Sequence, residues 1–293
     1  MSSTITVNAA GRRIAVESYG DPKGQPLFFF HGWPSSRQQG ALADATASAM
    51  GIRLLAVDRP GCGGSDLHVG RALRDWPEVL EALADHVEAP TFHVLGVSGG
   101  GPYALASAWG LRDRVKGAAV VSGAPPLAER ADVSGLMPVY QYLLRLYNTR
   151  PEAMRLVFRA VRPLARIRPP NWLFRMALHT LPDVDRLALI EPGRMNQAWH
   201  GYAGSWAGHP DGVFHDARIY AAPWGFDLSE IRVPIRLWHG KKDKNFDWKL
   251  AEELAAQIPG CHTRIFDNEG HYSLIFRHCR EIFEDLMEAA PPG

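Results

Sequence analysis

Gly96-Val97-Ser98-Gly99-Gly100 decides the reading of this chain, because it fits G-x-S-x-G between two legible elements. Before it, Thr91-Phe92-His93-Val94-Leu95 is apolar and β-branched enough for a buried strand. After it, Gly101-Pro102-Tyr103-Ala104-Leu105-Ala106 sets a proline near a first helical turn with alanines behind. A strand that turns sharply into a helix leaves no room for side chains beside the serine. The glycines are then a steric requirement of exposing its Oγ. The helix that follows aims its first N–H groups at charge developing there. Taken alone, the pentapeptide fits a closely packed glycine-rich turn equally well, so the rest of the chain must decide.

The flanking elements extend in both directions. Short apolar runs recur at Thr4–Val7, Ile14–Gly20, Leu27–Phe30, Ile52–Val57, Gly117–Val121, Ile235–Trp238 and Thr263–Phe266. Between them, helical patterns cover Ser36–Met50, Asp75–Glu88, Pro102–Trp109 and Trp248–Gln257. Strands alternating with helices predict βαβ units and a mostly parallel sheet. Residues 125–232 break that rhythm and read as helices separated by prolines, an insertion between a core of 1–124 and 233–293. The insertion is basic, with nine arginines between Pro125 and Arg175 against Glu129, Asp132 and Glu152. Solvated arginines on amphipathic helices account for this, as does a lid whose positive rim attracts acidic substrates or membrane surfaces. Only the Pro291-Pro292-Gly293 tail reads as disordered.

The 293 residues carry 46% hydrophobic and 22% charged side chains, ordinary for a globular enzyme. A net charge of +1 gives no global pull toward nucleic acid or membranes. No window approaches the ~20 apolar residues of a membrane span, and no secretory leader is visible. The expectation is a cytoplasmic protein without stable membrane association. Cys62, Cys261 and Cys279 form no C-x-x-C pair, so neither a metal site nor a disulfide framework is predicted.

Serine at its ordinary pKa is a poor nucleophile and needs a base that an acid orients. Two later loops offer them, each after an apolar strand: Trp238-His239-Gly240-Lys241-Lys242-Asp243 and Asp267-Asn268-Glu269-Gly270-His271-Tyr272-Ser273. His271 is the candidate base. Asp243 is the candidate acid, with Asp247 four residues on as the reserve. His93, His239 and His278 read as structural. Phe30-His31-Gly32-Trp33-Pro34 leaves another strand, and the backbone N–H groups of Trp33 and Gly99 are the candidate oxyanion donors. Asp58-Arg59-Pro60-Gly61-Cys62-Gly63-Gly64-Ser65-Asp66 reads as a rigid loop whose Asp58 and Arg59 bond neighbouring loops. Within the insertion, Tyr140, Trp172, Trp199, Tyr202, Trp206 and Phe226 are candidates to line an apolar pocket.

Together these segments resemble the α/β-hydrolase superfamily, in its helical-cap branch of esterases. The resemblance rests on His31-Gly32-Trp33-Pro34, Asp58-Arg59-Pro60-Gly61, Gly96-Val97-Ser98-Gly99-Gly100-Gly101, His239-Gly240-Lys241-Lys242-Asp243 and Gly270-His271, and it covers most of the chain. It implies an eight-stranded, mainly parallel sheet flanked by helices with an inserted helical cap, an acyl-serine intermediate and no cofactor. The chain order Ser98, Asp243, His271 is the superfamily's. Relatives often carry proline shortly after the acid, where this chain has Lys244-Asn245-Phe246-Asp247. A serine at the elbow argues against haloalkane dehalogenases and epoxide hydrolases. The expected activity is cleavage of small to medium apolar or aromatic carboxylic esters. Carbon–carbon bond, lactone, amide or thioester hydrolysis by the same triad, or a non-catalytic binding role, are the alternatives. The partner is a small-molecule ester, and a homodimer stays open.

Overall fold

The computed structural model describes residues 3–128 and 130–288, so Glu129 and the Pro291-Pro292-Gly293 tail lie outside the described residues. Eight strands form one sheet: β1 (Ser3–Ala9), β2 (Arg12–Gly20), β3 (Gln25–Phe30), β4 (Ile52–Val57), β5 (Phe92–Val97), β6 (Val115–Val121), β7 (Ile235–Gly240) and β8 (His262–Phe266). Their order across the sheet is β1-β2-β4-β3-β5-β6-β7-β8. Only β2 runs against its neighbours; the remaining pairs are parallel.

Burial on both faces explains the unbroken apolar runs. Phe28 and Phe30 of β3 enter one core layer, with Leu55 and Val57 of β4. The alternate residues Leu27, Phe29, Leu54 and Ala56 enter the other. Period-two alternation therefore hides inside a uniformly hydrophobic stretch. Because β3 lies between β4 and β5, the connections leaving β3 and β5 diverge, opening a crevice at their carboxyl ends. Phe30 pairs with Gly96 across that point, which brings the loops after both strands together.

Helices α1 (Asp44–Ala49), α2 (Trp76–His86) and α3 (Gly101–Gly110) alternate with the strands up to β6, and α10 (Trp248–Ala255) and α11 (Ser273–Met287) follow β7 and β8. The predicted helix at Ser36–Met50 is instead a 3₁₀ turn, Arg37–Ala43, followed by the short α1. Asp44 ties the start of α1 to the end of β2 by accepting from the Gly20 N–H at 2.7 Å. Helix α11 was not anticipated, although Leu274, Ile275, Cys279, Ile282, Phe283 and Leu286 are buried at helical spacing.

Among the described residues, six α-helices occupy the insertion: α4 (Pro138–Thr149), α5 (Pro151–Ala165), α6 (Asn171–Leu178), α7 (Asp183–Ile190), α8 (Arg194–Ser205) and α9 (Gly212–Ala221). Proline opens α4 and α5 within the first turn, where its missing N–H costs nothing. No described helix is long and apolar enough to cross a membrane. The arginines of α5 mostly serve the insertion itself. Arg155 and Arg159 pair with Asp211 at 2.7 and 2.5 Å, and Arg162 donates to the Trp206 and Gly208 carbonyls.

Helix α9 is bolted to the core. Its Asp216 is fully buried and accepts from Arg59 (2.7 Å), Arg71 (2.8 Å) and the Tyr103 hydroxyl (2.8 Å). Burial opposes the charge on Asp216, but the two guanidiniums outweigh it and hold the carboxyl well below its ordinary range. Asp216→Ala leaves both cations buried without their carboxylate, and urea unfolding should show a loss of about 3–5 kcal/mol. A loss below about 1 kcal/mol, the scale of exposed pairs, would mean that solvent already screens this cluster.

Candidate active site

Ser98 lies directly after β5 with φ of +54°, a left-handed conformation that L side chains rarely adopt. The elbow is closed by contact: a Cβ on Gly96 would strike the Gly100 carbonyl, and one on Gly100 would strike that of Phe30. The strand, the serine and α3 thus pack with no space for larger residues, and this fixes the Oγ above the crevice.

His271 Nε2 stands 3.0 Å from Ser98 Oγ, and its Nδ1 stands 2.7 Å from Asp243 Oδ2. The other carboxylate oxygen of Asp243 accepts from the Asn245 and Phe246 N–H groups at 2.7 and 3.1 Å, which sets its plane. The two loops are stitched together where Lys241 N–H donates to the Phe266 carbonyl and Lys242 N–H to that of Glu269. Burial works against both charges. Even so, the pairing holds the Asp243 carboxyl below its ordinary value and raises the His271 pKa above 6.5, with Asp185 adding to the rise.

The reserve acid is otherwise engaged. Asp247 caps α10 by accepting from the Lys249 N–H at 2.9 Å, and Asp267 pairs with Lys241 at 2.7 Å. His239 is buried and kept neutral by that burial; its Nε2–H donates to the Phe246 carbonyl, 3.0 Å away. Cys62 is buried, and burial pushes its thiol pKa up, away from thiolate chemistry. Among the described residues no three His, Cys, Asp or Glu side chains cluster as metal ligands would.

Two peptide units beside Ser98 are held by their carbonyls. The Gly32 carbonyl accepts from Arg59 Nη2 and from His31 Nδ1, both at 2.9 Å. The Ser98 carbonyl accepts from the Ala124 N–H at 3.0 Å. In a trans planar peptide the N–H points opposite to the C=O. Pinning these two carbonyls therefore aims the N–H groups of Trp33 and Gly99 the other way. Arg59 also donates to the His31 carbonyl, and its own orientation comes from Asp216. Neither Asp185 nor Asp216 was singled out from the sequence. The available signal was a carboxylate on a buried helical stripe, Asp185 with Ala188 and Leu189, and Asp216 with Ile219 and Tyr220.

Ser98 opens onto two cavities. The larger, of about 580 Å³, runs between the core and the inserted helices and is lined by Tyr140, Trp199 and Tyr202 of the predicted set. The smaller, of about 60 Å³, lies beyond Trp33 and Tyr140 and is walled by Leu143, Leu144, Met154 and Tyr220. Among the described residues, no arginine, lysine, aspartate or glutamate lines either one. The other three predicted aromatics are elsewhere. Trp172 points outward on α6 at 67% exposure, Trp206 fills the core of the inserted helices, and Phe226 stacks on Trp109. An aromatic side chain alone does not distinguish a cavity wall from packing.

The chain matches the alpha/beta hydrolase family over residues 27–285 and belongs to that family. Among curated relatives it is 24% identical to a non-heme chloroperoxidase of Streptomyces lividans, covering 87% of each chain. It is 23% identical to a proline iminopeptidase of Lactobacillus helveticus, covering 85% of this chain and 84% of that protein. An esterase from Exiguobacterium antarcticum shares the fold, with a TM-score of 0.66 at 22% identity over 97% of this chain and 98% of the esterase.

Asp243→Asn presents the wrong hydrogen-bonding group to His271 and should lower kcat by about 10⁴-fold. Asp247→Asn preserves a good helix cap and should leave kcat close to wild type. Equal losses in steady-state assays would refute the assignment of Asp243 as the acid.

Proposed function

We propose that the protein is a serine hydrolase of neutral carboxylic esters, acting through an acyl-serine. The observation that carries this reading is the continuous chain Ser98–His271–Asp243 at the floor of an apolar cavity. His271 Nε2 takes the Ser98 proton as Oγ attacks the ester carbonyl. The N–H groups of Trp33 and Gly99 stabilise the oxyanion of the tetrahedral intermediate. The imidazolium returns its proton to the departing alkoxide. Water, deprotonated by the same nitrogen, then releases the acid and restores Ser98. Asp243 stays ionised throughout and holds the imidazole by Nδ1–H.

The cavities argue for the substrate class. At about 580 Å³ the larger one suits a small to medium group, while the 60 Å³ lobe admits only a few atoms on the other side of the ester. Walls that carry no arginine, lysine, aspartate or glutamate among the described residues favour neutral substrates over acidic ones. They also weigh against an iminopeptidase, whose substrate brings a cationic amino terminus that would meet no carboxylate among the described lining residues. Tyr140, Trp199 and Tyr202 are the wall residues proposed to contact the larger group.

Fluorophosphonate should label wild type at Ser98, and Ser98→Ala should reduce p-nitrophenyl ester turnover by about 10⁶-fold. Absence of both labelling and ester turnover in wild type would remove this reading. Turnover of neutral esters should exceed that of matched acidic esters at every ionic strength; a preference for acidic esters that fades with salt would restore the steering role of the arginines.

The pH dependence follows from His271. Its Nε2 must be unprotonated to receive the serine proton, and Asp243 favours the imidazolium, so kcat/KM should fall as pH drops through a value above 6.5. In Asp243→Asn that acidic limb should move to lower pH. An acidic limb below 6.5 in wild type would contradict the pairing.

A further inference from the structure

One buried carboxylate near the triad has no part in that mechanism. Asp185, on α7 of the insertion, is 1% exposed. Its Oδ2 accepts from the His271 N–H at 3.0 Å, and its Oδ1 from the Tyr272 and Ser273 N–H groups, both at 2.8 Å. These donors lead into α11, which begins at Ser273, and the first N–H groups of a helix have no partner within it. The residue at the cap position, Tyr272, supplies no side-chain cap of its own. A carboxylate from a segment some eighty-six residues earlier in the chain does so instead. Gly270 leaves the space for it, because a Cβ there would strike the Asp185 carboxylate. Packing reinforces the junction: α7 lies against α11, and Arg194 of α8 stacks over Phe276 at 4.9 Å.

Resting on the proposed hydrolase reading, we infer that Asp185 is a positioning residue through which the inserted helices seat the backbone of His271, so that a competent triad requires the insertion to be docked. The imidazole is held at its two nitrogens by Asp243 and Ser98, but those contacts fix the ring only if its backbone is fixed as well. That backbone is held by a group carried on the wall of the substrate cavity, since Leu189 of the same helix lines the cavity. Displacing α7 therefore also releases the base.

Asp185→Asn tests this with little change in volume. An amide has one accepting oxygen, which can face the Tyr272 and Ser273 N–H groups or that of His271, but not both sets. Active sites are counted by fluorophosphonate titration, so that unfolded molecules do not enter the comparison. Per titrated site, kcat should fall by about 10²-fold, the scale of a small misplacement of reacting groups, with KM little changed. The acidic limb should move to lower pH. The groups facing His271 are Asp243, Asp185, Ser98 and Tyr272, with His239 behind Asp243, and only the charge of Asp185 is removed. Asp183→Asn, on an exposed carboxylate of the same helix, should match wild type. Gly270→Ala strikes the same contact from the other side, so its loss should combine with that of Asp185→Asn less than additively.

Wild-type kcat per site and an unmoved acidic limb in Asp185→Asn, even with a lower Tm, would reduce Asp185 to a helix cap and overturn the inference. So would full additivity. A second measurement needs no variant: in native-state hydrogen exchange of the whole protein, the amides of residues 271–273 should open with the same free energy as those of α7. Protection of residues 271–273 that outlasts opening of α7 would overturn the inference as well. Failure of wild type to label or turn over would instead remove the hydrolase reading, which keeps the two failures distinct.

Discussion

The buried pair of Arg59 with Asp216 is the interaction on which the geometry beside Ser98 depends. Arg59 follows β4, Asp216 lies on α9, and the carbonyls that Arg59 fixes belong to the loop after β3. Three segments distant in sequence are thereby locked by one guanidinium. Water cannot substitute for any partner, because the side chains of Arg59 and Asp216 are entirely buried. An ion pair of this kind adds little net stability compared with an apolar replacement, yet removing one member is costly. Its value here is directional. It fixes which way the Gly32–Trp33 peptide faces, and a preorganised donor is useful only when its direction is fixed before the substrate arrives.

Ser98 shows the complementary device. The left-handed conformation is unfavourable in isolation, and it persists because close contacts leave the chain no alternative. The carbonyl of the strained residue is occupied by Ala124 N–H, and the Tyr220 hydroxyl donates to the Gly99 carbonyl at 3.0 Å. Tyr220 lies one turn beyond Asp216 on α9. The helix that orients Arg59 therefore also braces the turn containing the proposed nucleophile.

What was readable from the sequence followed from how local each signal is. The strands were legible because burial on both faces leaves uninterrupted apolar runs such as Leu27–Phe30, and Ser98, His271 and Asp243 because tight turns after those strands demand glycine beside them. Helix α11 carries a clear periodic stripe, Leu274, Ile275, Cys279, Ile282, Phe283 and Leu286, so its signal is local although no helix was predicted there. The split of Ser36–Met50 was not legible, since the tie from Asp44 to Gly20 is a tertiary contact. The cavity wall was legible only in part. Trp199 and Trp206 are both aromatic residues on or at the end of α8, and only the packing of neighbouring helices sends one to the cavity and the other into the interior. Asp185 and Asp216 were missed because each reads locally as an ordinary helical acid. Their partners are eighty-six to one hundred and fifty-seven residues away.

Those two carboxylates bear on how the molecule divides. By sequence rhythm, the insertion is an addition to an otherwise complete α/β core. Energetically it is not separable at that boundary. Asp216 supplies the anion that buried Arg59 and Arg71 require, and Asp185 supplies the acceptor that the first turn of α11 requires. A core deprived of both would hold two unpaired buried cations, of which Arg59 bonds the loop beside Ser98, and three orphaned N–H groups at the His271 loop. Insertion and core thus share the residues that give the site its shape, while no arginine, lysine, aspartate or glutamate among the described residues lines the cavity between them. Three of the arginines that make the insertion basic follow the same logic: Arg155, Arg159 and Arg162 are used on Asp211 and on backbone carbonyls. These charges hold the walls in place, and the space enclosed is lined mainly by apolar side chains.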